Sequence, residues 1–181
     1  LNRNAWGTYA PRYPNARIGA TLYNWLADHG DPRLNILADP NGPAAGNRYG
    51  LENDQLLALY NETVDSYASV NPAITQNNSP WVFLSYAQTA LLEAEYAAAA
   101  GNHSSAETKY NDGVTAHMQI WGSHYDASLT VDNSTINDYL TANPYDASQG
   151  ERMIGEQYWA ASFFDFFESF SNFRRSGYPE L

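Results

Sequence analysis

The chain has 181 residues, no cysteine, and 9 Lys+Arg against 20 Asp+Glu, a formal net charge of −11. That length favours one domain able to bury a core without disulfide or metal staples, and the missing cysteine excludes thiolate-metal, CxxC and cysteine-nucleophile chemistry within it. Lys109 is the sole lysine, so the clustered cations that bind polyphosphate are absent and nucleic acid is excluded as a partner.

Residues 1–16 hold three aromatics, two prolines and two arginines without periodicity, which predicts a loop. The first stretch, LNRNAWGTYAPRYP, has no charged leader, apolar run or small-residue cleavage site, and reads like the middle of a protein. Ile18, Leu22, Trp25 and Leu26 then share one helical face, with Gly30 where a C-terminal cap belongs. Asp31-Pro32-Arg33-Leu34 stops that helix, because proline lacks a donor and restricts the residue before it. Residues 39–50 form a Gly/Pro/Asn loop, 51–70 include a short helix around Leu56, Leu57 and Tyr60, and 71–80 form a polar turn.

The clearest element follows. Ser85-Tyr86-Ala87-Gln88 fits a capping box, good helix formers run to Ala100, and Gly101 closes the helix. Ser104-Ser105-Ala106-Glu107 reads as a second capping box. It opens a helix with Ala106, Tyr110, Gly113, Val114, His117 and Trp121 on one face. So short a turn makes the two helices antiparallel, and Ala94, Ala106, Tyr110 and Gly113 have the small/large spacing of a tetratricopeptide unit. His117, on the apolar face, reads as a core histidine. The apolar stretch from Trp81 to Ala100 contains Gln88, Glu93 and Glu95 and predicts a buried helix, not a membrane span.

Ile136, Tyr139 and Leu140 predict a short helix broken at Asn143-Pro144. Ser148-Gln149-Gly150-Glu151 matches a third capping box and opens one long helix, from about Glu151 to Phe173, with aromatics on most faces. Such a helix must be surrounded. Arg174 and Arg175 sit at its negative end, and no strand pairs are evident. The predicted class is all-α.

No catalytic motif emerges. Glu93 and Glu95 point apart on a helix. Asp126, Asp132, Asp138, Asp146 and Glu156 could form a glycosidase pair only through tertiary structure. His29, His103, His117 and His124 lack metal-ligand spacing, no phosphate or dinucleotide loop occurs, and no cofactor or metal is expected. Asp132-Asn133 with Asp138 lacks the EF-hand pattern. Glu95 is expected to bond a neighbouring element through Arg174 or Arg175. The composition points to binding instead: 16% of residues are charged and 14% aromatic, with 5 Trp, 14 Tyr and 7 Phe. Aromatic faces beside asparagine amides suit sugars or peptide backbones, and suit a Tyr-rich core equally well.

Ser85-Tyr86-Ala87-Gln88, Leu91-Leu92, Ala94-Glu95, Gly101 and Tyr110-Asn111-Asp112-Gly113-Val114 together resemble the SusD/RagB family of Bacteroidetes outer-membrane lipoproteins. So do Gln157-Tyr158-Trp159, the run from Glu168 to Pro179, and Asp31-Pro32-Arg33-Leu34 upstream. Gln88, Tyr96 and Phe170 depart from the glutamate, alanine and tryptophan usual there. The resemblance implies a C-terminal-half piece of a larger SusD-like domain, with residues 1–80 loop-rich and 81–181 a helical scaffold. It also implies non-enzymatic capture of glycans or oligopeptides for a SusC-like TonB-dependent transporter, with membrane attachment only through a lipid anchor outside this chain. It carries over no ligand residues. Loop chemistry alone nominates Trp6, Tyr9, Arg12, Tyr13, Asn15, Asn47 and Tyr49, rings to stack on sugar faces and amides to bond hydroxyls, unless the rings pack beneath their loops. An intracellular tetratricopeptide scaffold and an all-α glycoside hydrolase are the competing readings.

Overall fold

A computed structural model describes residues 17–41 and 68–180. Among these the fold is all-α, with seven α-helices: α1 (Ala20–Asp28), α2 (Arg33–Leu37), α3 (Tyr86–Ala99), α4 (His103–Ile120), α5 (Asn133–Ala142), α6 (Gly150–Ala161) and α7 (Phe166–Ser176). No described helix is long and apolar enough to cross a membrane. The residues fall into two compact units, one up to Trp81 together with Trp121–Thr135, the other Val82–Ile120 with Ile136–Leu181. The short helix read around Leu56, Leu57 and Tyr60 lies outside the described residues.

In the first unit, Leu22 and Leu26 of α1 and Ile36 and Leu37 of α2 are buried with Ile18, Ala38 and Ile74. Gly30 takes the left-handed conformation (φ 59°) that ends α1. The Asp31 N–H then bonds the Leu26 carbonyl at 2.8 Å. Asp31 and Arg33 are themselves buried, 3% and 0% exposed. Arg33 grips the carboxylate in a fork, Nε to Oδ1 at 2.9 Å and the terminal nitrogen to Oδ2 at 2.5 Å, and its backbone N–H adds a third bond at 2.9 Å. The guanidinium also lies 5.8 Å from the Trp25 ring centre. The segment that merely seemed to stop a helix is thus a buried ion pair, viable because both carboxylate oxygens and two guanidinium nitrogens bond one another. Isolated bridges join Arg17 to Ser69 and Ala38 to Val70.

In the second unit, α3 and α4 form the antiparallel hairpin, with α6 packed on both and α7 packed on α6. The Ser85–Gln88 box forms as read: Ser85 Oγ accepts from the Gln88 N–H at 3.2 Å and the Gln88 side chain accepts from the Ser85 N–H at 2.8 Å. Gln88 is buried, and its amide reaches Ser162 Oγ at 3.5 Å, a bond a glutamate could not donate. Gly101 (φ 74°) closes α3. Ala94, Ala106, Tyr110 and Gly113 all lie buried in the hairpin, as does His117. A Cβ on Gly113 would stand 2.6 Å from Leu91 Cγ and 3.1 Å from the Ala87 carbonyl oxygen, so the spacing reflects backbone approach.

Three readings need correction. Helix α4 is capped by Asn102, whose Oδ1 accepts from the Ser105 N–H at 3.2 Å, not by Ser104. Ser148 likewise does not cap α6. It sits in a 3₁₀ turn (Ala147–Gln149) capped by Asp146, and α6 begins at Gly150 without a side-chain cap. The third concerns the single aromatic helix, which is two. Ser162 Oγ folds back onto the Tyr158 carbonyl at 2.9 Å, Phe164 has φ 75°, and Asp165 caps a new helix through the Glu168 N–H at 3.1 Å. Competing side-chain bonds outweigh propensity at this break.

Helix α5 forms as expected, with Ile136 and Tyr139 buried. Asp132 begins it, accepting from the Thr135 N–H and hydroxyl, both at 2.9 Å, and from the Ser134 hydroxyl. Those donors hold its carboxyl well below the usual carboxylate range, the Ser134 hydroxyl most of all. Because the folded value is depressed, the cap stabilises above the ordinary carboxylate pKa and fades as pH falls through the folded one. Asp132→Ala is therefore expected to lower the melting temperature at pH 7, by a margin that shrinks below about pH 4. Melting curves followed by circular dichroism at both pH values check this, and an equal loss at both would refute it.

Candidate functional site

The nominated loop residues, Trp6, Tyr9, Arg12, Tyr13, Asn15, Asn47 and Tyr49, lie outside the described residues. Four of the five carboxylates weighed for hydrolysis have other employment. Asp126 accepts from the Ser128 N–H at 2.9 Å and hydroxyl at 2.7 Å, and Asp146 from the Ser148 N–H and hydroxyl at 2.8 and 2.7 Å. Those bonds, the hydroxyl's foremost, hold both carboxyls below the usual range. Asp132 is the α5 cap, Glu156 pairs with Arg152 at 3.5 Å, and Asp138 is exposed on α5. Among the described residues no three His, Asp or Glu side chains converge as a metal site would need.

Glu93 and Glu95 do diverge. Glu93 bonds Lys109 across the hairpin at 2.7 Å, which raises the lysine's pKa through that hydrogen bond and then through charge. Glu95 pairs with Arg175 of α7, one of the two arginines expected for it. Arg175 also donates to Asn172 Oδ1 at 3.2 Å and stands 6.0 Å from the Tyr158 ring centre. Asn172, 1% exposed, donates to the Gly155 and Tyr178 carbonyls at 3.1 and 3.3 Å. Tyr158 donates to Glu168 at 2.7 Å; burial first, then that carboxylate, pushes the phenol above its ordinary range. Glu95, Tyr158, Glu168, Asn172 and Arg175 therefore tie α3, α6 and α7 into one block, a scaffolding role.

Two concavities open on this block. A groove of about 600 Å³ runs along the hairpin, lined by Thr89, Leu92, Tyr96 and Ala100 with the Glu93–Lys109 pair. A second, more polar hollow of about 310 Å³ lies at the hairpin turn, where Ala98, Ala99 and His103 meet Gln149, Glu151, Arg152 and Tyr178. Large rings also face outward: Tyr86 and Tyr96 on α3, and Phe166, Phe167 and Phe170 on α7, Phe167 being 90% exposed. The aromatic run was expected to be surrounded, and on α7 the described residues do not surround it. Tyr96 and Phe170, two of the departures noted above, belong to this exposed set. The hollow escaped sequence reading because its residues come from three separated stretches, whose local motifs signal helix starts or scaffold and not a shared site.

The sequence pattern of a family designated SusD-like, described as "Starch-binding associating with outer membrane", matches residues 1–181. No curated protein matches the chain. Among solved structures, a chitin-binding protein superposes with a TM-score of 0.76 at 24% identity, over 99% of this chain and 42% of its own length. Another, "Bacteroidetes AC2a SusD-like", superposes with a TM-score of 0.71 at 17% identity, over 90% of this chain and 43% of its own. At these identities the likeness is one of fold. The chain spans about two fifths of the length of these two proteins.

Proposed function

This chain belongs to the SusD-like family, whose pattern it matches over residues 1–181, and from that membership we propose that it captures glycans at the bacterial outer-membrane surface without transforming them. The match along the whole chain, with the starch-binding description it carries, is the observation that bears most weight. The names of the superposing proteins, one chitin-binding and one SusD-like, agree with it. The composition supports the same chemistry: rings with apolar faces and amide or hydroxyl edges match neutral sugars better than ions. In this reading the helical block is the platform, the nominated loop rings add sugar contacts to it, and a SusC-like TonB-dependent transporter receives the cargo.

Affinity electrophoresis through gels containing starch, glycol chitin or other polysaccharides, with oligopeptide competitors, tests the proposal. Retardation by one glycan class, relieved by its oligomers, is expected. Trp6→Ala and Tyr9→Ala should weaken it roughly tenfold each if their rings stack on sugar, an effect of about 1.4 kcal/mol. Free migration through every polysaccharide, or displacement by peptides alone, would overturn the glycan assignment.

A further inference from the structure

We propose that the polar hollow at the hairpin turn is a subsite for one neutral sugar unit; this rests on the glycan reading above and assigns it contact residues. Its size, about 310 Å³, is at the lower end of small-ligand clefts, room for a monosaccharide or a disaccharide. Its lining brings donors and acceptors together. Arg152 spends Nε on the Gln149 side-chain oxygen Oε1 at 3.2 Å and one terminal nitrogen on Glu156 at 3.5 Å, which leaves further N–H groups available. With its oxygen so engaged, Gln149 keeps its NH₂ donors. His103 offers one donor and one acceptor nitrogen, Glu151 two acceptor oxygens, and Tyr178 a hydroxyl that does either. Among the described residues the His103 and Glu151 side chains and the Tyr178 hydroxyl make no hydrogen bond within the protein.

Charge decides the ligand class. Glu156 already balances Arg152, and Glu151 with the neighbouring Asp146 would repel an anion. A lone unpaired carboxylate beside an arginine is a poor cation site. A ligand of hydroxyl groups, each donating and accepting, satisfies the set without burying a net charge. The methyl groups of Ala98 and Ala99 and the Tyr178 ring add apolar surface for the C–H face of a pyranose.

The test is a ¹⁵N-correlation NMR titration of the 181-residue chain with glucose, N-acetylglucosamine, their oligomers and glucuronate. Saturable shifts are expected at residues 98–103 and 147–152, from a neutral sugar and not from glucuronate. His103→Ala and Glu151→Gln alter exposed side chains, and Tyr178→Phe keeps the ring that packs on Gly155, so all three should fold. Each should weaken binding roughly tenfold, the worth of one hydrogen bond to a charged or well-placed group. Shifts confined to other residues, or affinities unchanged in all three variants, would overturn the subsite and leave glycan capture standing. Equal response to glucuronate would overturn the neutral-ligand assignment, and no response to any sugar or oligomer would overturn both readings.

Discussion

An Arg33→Met variant is expected to lose about 3–5 kcal/mol of stability, because it leaves a buried carboxylate without its partner. Asp31 is 3% exposed, and both of its oxygens are held by the Arg33 fork. Adding Asp31→Leu to Arg33→Met should recover part of the loss, since an apolar pair avoids the desolvation that the ion pair must offset, while the backbone N–H of residue 33 loses its acceptor. Urea unfolding of the two variants and the parent measures this. A single-variant loss under about 1 kcal/mol would mean the pair is hydrated, contrary to its burial here.

Gly113→Val should cost about 1–3 kcal/mol or more through overpacking. The added Cβ would meet Leu91 Cγ at 2.6 Å and the Ala87 carbonyl at 3.1 Å, and a backbone oxygen cannot rotate away. Even Gly113→Ala should destabilise, although alanine is favoured over glycine in a helix interior by about 1 kcal/mol. That reversal of the propensity order distinguishes close helix approach from mere tolerance of glycine. A melting temperature raised by the alanine substitution would show that α3 and α4 sit farther apart than described.

These two sites differ in how far the sequence exposed them. The hairpin was legible because its signals are local and redundant: the Ser85–Gln88 box, Gly101, and small residues at fixed offsets around Tyr110. Even the pairing of Glu95 with Arg174 or Arg175 could be anticipated, since a carboxylate on an alanine-rich helix needs a cation and few are available; Arg175 takes it. The Asp31–Arg33 bond was not. Its residues look like a helix stop, and only tertiary burial turns them into an ion pair.

The misplaced caps share one cause. In a chain rich in Ser, Asn and Asp, S-x-x-E recurs by composition, while Asn102 and Asp146, each two residues upstream, reach the helix-start amides first. The break between α6 and α7 was hidden by aromatic periodicity running through it. Asp165 followed by Glu168 was the cap signal to weigh against that periodicity. Of the candidate site, the helical platform was readable and the hollow was not, because His103, Glu151 and Tyr178 meet only through the packing of the hairpin, α6 and the segment after α7.

Isothermal titration of the chain with starch-derived and chitin-derived oligosaccharides, followed by chromatography of the recovered sugar, tests capture without turnover most directly. Saturable binding to one series, with the oligosaccharides recovered at their original length, is the predicted result. Absence of heat with every glycan, or shortened products from any of them, would contradict it.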